Sequence, residues 1–217
     1  MMNADLMKGL PLSPMESNRI ARKNIIVDAA QKVFAEKPFT KVSMRDIAKE
    51  AGISPALIYR HFPDQQHLFV EAFLRGTKRL IEQFSDLLSR DERPQVEEAA
   101  DIFITYLTDH DQYFKMMTHF MLEGTIHEGL LDKLNSIERS MLDQFGRLFE
   151  NTGAKHNVRM ISHCFFAALN GILITFRQHP GRSPHEVHEH MHHIGHIMAR
   201  MFLHTARSGK TDIFSKY

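Results

Sequence analysis

A handful of side chains near the middle of the first third of the chain could do chemistry on a partner. Tyr59, Arg60 and His61 follow Ser54 and Ala56 within one short run. They offer a phenol, a guanidinium, an imidazole, a hydroxyl and a small apolar group that can meet a thymine methyl. That set suits base edges and phosphates in a DNA major groove. A second set lies near the C-terminus. His185, His188, His192 and His196 step by 3, 4 and 4 residues, which puts them on one side of a helix, with His190 and His193 on its flank. An i,i+4 imidazole pair can hold a divalent metal, and Glu189 could add an oxygen. Catalytic patterns are missing: the chain has no Gly-rich phosphate loop, no Gly-flanked nucleophilic serine and no His-Glu-x-x-His pair. Cys164, the nearest nucleophile candidate, lies beside Phe165 and Phe166, apolar surroundings that do not activate a thiol. No enzyme and no cofactor are expected.

Local signals say how the first set is held. Ser43-Met44-Arg45-Asp46 has capping-box spacing, a hydroxyl followed three residues on by an acid. The helix it opens carries Ile47, Ala48 and Ala51 inward and stops at Gly52. Ser54-Pro55 starts a second, short helix, with proline where a missing N–H costs nothing, and Pro63 ends it. Residues 42–62 thus read as helix, tight turn, helix, with Ile53 and Leu57 filling the angle between them. Ser54, Ala56, Tyr59, Arg60 and His61 stay outward, and the free N–H groups near Ser43 add an anion site.

Helical spacing continues almost everywhere else. Ile26, Ala29, Ala30, Val33 and Phe34 form one stripe between Asn18 and Glu36, where Pro38 halts it. Asp64 caps a helix running to about Ser89. Further helices are expected over Gln95–Thr108, Gln112–Glu123, Glu128–Glu150, Val158–Gln178 and His185 to about Ala206. The fold class is all-α, with about nine helices and no sheet. Three regions follow: a flexible arm at residues 1–17, a helix-turn-helix domain at 18–64, and a larger helical bundle at 65–217.

Composition is consistent with this. Of 217 residues 43% are hydrophobic, 24% charged and 9% aromatic, which excludes wholesale disorder. A single cysteine excludes an intrachain disulfide and a multi-thiolate zinc site. The longest apolar run, Cys164–Leu169, stops at Asn170, so no membrane segment is expected. Pro11 and Pro14 break what little apolar character the first residues have, arguing against a secretory signal. A cytoplasmic location is expected. Residues 1–64 carry 10 basic and 7 acidic side chains, a surplus of +3, against −2 for the remainder. That mild asymmetry permits a polyanion site at the N-terminal end.

The run from Ile25 to Phe73 resembles the N-terminal domain of the TetR/AcrR transcriptional regulators. Phe34, Thr40 to Asp46, Ile47-Ala48, Ala51-Gly52-Ile53-Ser54, Leu57-Ile58-Tyr59 and His61-Phe62 sit where that pattern has equivalents. The resemblance implies a homodimer whose two heads bind a palindromic operator in successive major grooves, about 34–36 Å apart. It also implies a helical body whose small-molecule effector releases the DNA, making the protein a repressor. Carried across residue by residue, Ser43, Arg45, Ser54, Ala56, Tyr59, Arg60 and His61 are the DNA-facing positions. Where the family commonly has a lysine just after the recognition helix, this chain has Gln65. Arg19, Arg22 and Lys23 could compensate for that lost phosphate contact.

For the effector, Phe103, Tyr106, Phe114, Met117, Phe120 and Met121 offer an aromatic and Met-rich wall suited to a bulky apolar molecule. Phe166 joins them, and His163 and Asn170 could orient a head group. The resemblance places the last two helices at the dimer interface, so the histidine-rich helix is assigned no metal. Metal or pH sensing by that helix is an alternative, as is a helical interaction module that never touches DNA.

Overall fold

The computed structural model describes residues 13–90, 92, 94–123 and 127–208. Among them are nine α-helices, one short 3-10 turn and no strand, as the sequence pattern predicts. The helices are α1 (Pro14–Glu36), α2 (Met44–Glu50), α3 (Pro55–Tyr59), α4 (Gln65–Leu88) and α5 (Val96–Asp109). They continue with α6 (Asp111–Glu123), α7 (Glu128–Asn151), α8 (Val158–Phe176) and α9 (Pro184–Ser208). The 3-10 turn, Phe39–Lys41, lies between α1 and α2.

Helix α1 begins at Pro14, not at Asn18. Ser13 accepts a hydrogen bond from the Glu16 amide at 3.2 Å, and the Glu16 carboxylate accepts one from the Ser13 amide. With Pro14 at the first position, this capping box starts the helix early. The expected arm at residues 1–17 is shortened accordingly, and its residues 1–12 lie outside the described residues.

The chain divides into two compact units, Met1–Ala72 and Phe73–Tyr217. The expected boundary at residue 64 falls short because the first two turns of α4 belong to the N-terminal core. Leu68, Phe69 and Ala72 are buried there. The Phe69 ring meets Phe34 edge-on at 4.7 Å and Phe39 at the same distance. Each buried phenylalanine contributes about 1.5–3 kcal/mol through area removed from water.

In the C-terminal unit α9 packs on α5 and α8, and α8 on α7. Phe145, fully buried, is the centre of its aromatic core, with Phe84 and Phe165 each at 5.2 Å in edge-on geometry. Helix α8, expected to reach Gln178, ends at Phe176, and by length and composition alone it could cross a membrane, which the apolar run ending at Asn170 did not suggest. Here Ile161, Phe165, Leu169 and Leu173 form its buried face, and Asn170 is accommodated by donating to the Phe166 carbonyl at 2.8 Å.

Candidate nucleic-acid interface and ligand cavity

Helix α2 is held by the capping box read from the sequence. The Ser43 hydroxyl accepts from the Asp46 amide, and the Asp46 carboxylate accepts from the Ser43 amide at 2.9 Å. The same carboxylate takes the Ser43 hydroxyl proton at 2.7 Å and faces Lys37 Nζ at 3.1 Å. These partners hold the Asp46 carboxyl at a pKa of about 2, chiefly through the Ser43 hydroxyl and then Lys37. Ser43 is thereby engaged within the box, while Arg45 next to it is exposed.

The turn to α3 pivots on Gly52, whose φ of 66° lies in the left-handed region. Two amides close it: Gly52 N–H donates to Lys49 O at 3.2 Å and Ile53 N–H to Ala48 O at 3.0 Å. Helices α2 and α3 pack on each other, and the fully buried residue of α3 is Ile58, at 0% exposure, as Ile47 and Ala48 are buried on α2. Ile53 and Leu57, expected in that role, are only half-buried. A five-residue helix has one fully inward position, and the register gives it to Ile58. That register leaves Ser54, Ala56, Tyr59 and Arg60 exposed together, Tyr59 at 54%. The Ser54 side chain makes no capping hydrogen bond.

Beside α3, the first turns of α1 add a wall that the sequence pattern did not place. Asn18, Arg19 and Arg22 line one groove with Leu57, Arg60 and His61. Three guanidinium groups thus gather around one imidazole. The His61 pKa is lowered, first by burial and then by Arg19, Arg22 and Lys23. His61 is therefore neutral near pH 7 and meets an anion as an N–H donor, while the arginines supply the charge. Lys23, which also opposes protonation of His61, is paired elsewhere: its Nζ lies 2.5 Å from Glu71 Oε1 and 5.7 Å over the Phe62 ring. Gln65, in place of a lysine, donates its amide to the Phe39 carbonyl at 2.7 Å and ties α4 to the 3-10 turn.

The C-terminal unit contains a cavity of about 320 Å³. Six of the nine residues expected around a ligand line it: Phe103, Tyr106, Met117, Phe120, Met121 and Phe166. Three do not. Phe114 lies against Arg177, whose guanidinium sits 4.5 Å from the ring centre. His163 opens instead on a more polar groove beside Arg139 and Arg159. Asn170 is buried in α8, donating within its own helix. Sequence reasoning missed Phe73, Thr77 and Leu80 on α4, and Asn135, Glu138 and Met141 on α7. Their signal was the apolar stripe each helix carries, which periodicity alone assigns to core.

Polar groups in the cavity are few. The Tyr106 hydroxyl donates to the Gly76 carbonyl at 2.7 Å, and burial, with Tyr113 adding to it, raises the phenol pKa far above its ordinary value. Among the described lining residues, Glu138 is the one that carries a carboxylate. At the last helix, His185 lies 3.5 Å from Glu189 on an exposed turn, whereas His192 and His196 turn to Asp101 of α5.

A capped helix, a glycine turn and a short helix with its polar edge bare define a helix-turn-helix head on an all-α body. Residues 26–72 match the model of bacterial regulatory proteins, tetR family. Those residues carry the likeness to the tetR family, and they coincide with the helix-turn-helix unit. An uncharacterised HTH-type transcriptional regulator of Haemophilus influenzae is 30% identical over 106 residues, covering 44% of this chain and 48% of that protein. The chain spans about half the length of the curated relatives it matches. Among solved structures, a TetR-family regulator from Mesorhizobium loti shares the fold at TM-score 0.56 and 21% identity, covering 84% of this chain and 96% of that one. A regulator from Saccharomonospora viridis, solved with choline, does so at TM-score 0.63 and 18% identity, covering 78% and 92%.

Proposed function

We propose that the protein is a one-component transcriptional regulator that binds a palindromic operator as a homodimer. The observation that carries this is the bare edge of α3, with Tyr59 and Arg60 exposed beside the arginine groove from α1. A duplex supplies what that edge lacks: base edges for Ser54, Ala56 and Tyr59, and phosphates for Arg19, Arg22, Arg45, Arg60 and His61. Ser43 contributes by fixing the start of α2, where its N–H groups face an anion. The naming of curated relatives as HTH-type transcriptional regulators supports the same reading.

A second copy has a surface to meet. Met160, Ala167, Gly171 and Ile174 lie exposed along one face of α8, and Ile197 and Met201 along one face of α9. Pairing these faces between two chains would bury apolar side chains that a lone subunit leaves in water. The effector is a small, largely apolar molecule in the 320 Å³ cavity, with Glu138 and Asn135 available to a polar or cationic end. The choline in the Saccharomonospora viridis structure is a precedent in that protein. Thr77 and Leu80 put α4 in the cavity wall, so effector entry displaces the helix that begins directly after the head. The head spacing then changes and the operator is released, a repressor's response in the cytoplasm. The available energy is the effector's differential affinity for the two arrangements.

Fluorescence anisotropy with the DNA upstream of the protein's own gene tests this. Nanomolar, salt-sensitive binding is expected, and Arg45→Ala weakens it. Binding that is equally tight to unrelated duplexes, or none at all, overturns the regulator reading. Equal head separation in effector-bound and DNA-bound crystals overturns the displacement of α4.

A further inference from the structure

We propose that Asp101, His192 and His196 form a binding site for a divalent first-row transition ion, zinc above all. The three donor atoms lie within 4.8 Å of one another. Tetrahedral zinc, with bonds of about 2.0–2.1 Å, spaces its ligand atoms about 3.4 Å apart, so modest opening of this cluster admits the ion. His192 and His196 stand one helical turn apart on α9, and Asp101 reaches between them from α5. His196 Nε2 is 2.8 Å from Asp101 Oδ1, and His192 Nδ1 contacts the same oxygen.

The backbone fixes this spacing. A Cβ on Gly195 would lie 2.8 Å from Ile104 Cδ1 and 3.3 Å from Ala100 Cβ. The two helices therefore touch beside the cluster and hold its three donors at short range. The remote nitrogen of His192 is also placed: Nε2 lies 3.3 Å from the Thr105 hydroxyl. With Nδ1 on a metal, the ring proton sits on Nε2 and donates to Thr105, the outer-shell arrangement that ligating imidazoles use. Side-chain exposures of 18% for His192, 33% for His196 and 39% for Asp101 leave a path for the ion and room for water as a fourth ligand. Two imidazoles select zinc, nickel or cobalt over magnesium and calcium. Of the histidines that sequence spacing grouped, His192 and His196 join the site, whereas His185 lies 3.5 Å from Glu189 on an exposed turn and neither is part of it.

The test is calorimetric titration of Zn²⁺ into untagged, chelator-stripped full chain, with circular dichroism checking that each variant keeps its helicity. One equivalent per chain is expected. Asp101→Asn, His192→Gln and His196→Gln each weaken it by about 100-fold, Thr105→Val by about 10-fold, and His185→Ala leaves it unchanged. NMR of the unmutated chain covers the case in which a variant fails to fold: zinc must shift the imidazole resonances of His192 and His196 before those of His156, His185 or His204. No heat beyond the buffer control, or binding that survives these changes and vanishes in His185→Ala, overturns the site. None of these readouts uses DNA, so the outcome is separate from that of the regulator reading.

Discussion

At the scale of single residues, the candidate DNA-facing edge combines side chains of two origins. Tyr59, Arg60 and Ala56 were legible in the sequence because a helix with one inward position exposes the rest. Arg19 and Arg22 were visible only as spare charges. Their placement beside Arg60 depends on how α1 packs, which no local pattern encodes. Arg60→Ala is expected to weaken operator binding at every sequence tested and to reduce the slope of log affinity against log salt by about one, read by anisotropy at several salt concentrations. His61 gives a second test. Its folded pKa is lowered below the unfolded value of about 6.5, so the unfolded state binds the proton more readily. Its contribution to stability is thus full above about pH 6.5 and is lost as the pH falls through the folded value. Arg19→Ala removes one of the charges that oppose protonation, so an NMR titration of His61 in that variant should show the pKa moving back up.

At the scale of elements, α2 depends on its cap. Ser43→Ala removes the hydroxyl that serves the Asp46 amide and is expected to cost about 1 kcal/mol, measured by thermal melting without DNA. Because Asp46 titrates at about 2 and an unfolded aspartate near 4, its contribution is complete above about pH 4 and disappears as the pH drops through 2. The box itself was plain in the sequence, since four consecutive residues determine it. The boundary of the N-terminal unit was not, because Phe69 joins Phe34 and Phe39 across thirty or more positions of chain. Helix α4 also bears a tight site in the cavity wall. A Cβ on Gly76 would fall 1.9 Å from the Tyr113 ring. Gly76→Ala must push that ring aside, and a loss of about 1–3 kcal/mol in denaturant melts is expected, together with weaker binding of an apolar dye in the cavity.

At the scale of the whole molecule, aromatic spacing identified the α5 and α6 side of the cavity, where Phe103, Tyr106, Met117, Phe120 and Met121 line it. It failed for Phe114, which the next turn rotates toward Arg177, and for His163, which faces a different groove. Helical phase says which residues share a side, and only packing says what that side meets. The same limit hid Asp101, which no histidine spacing on α9 could reveal. The paired-subunit arrangement makes its own prediction. Ile174→Glu with Met201→Glu places charge on the exposed apolar faces of α8 and α9, so sedimentation should shift from two chains toward one and operator affinity should fall steeply.

The early start of α1 bears on how the N-terminal unit is handled as a fragment. Trimming the chain to residues 26–72 would keep Tyr59 and Arg60 but discard Arg19 and Arg22. Such a minimal piece would preserve the edge proposed to meet bases and lose two of the five side chains proposed to meet phosphates, so its weak binding would say nothing against the intact protein.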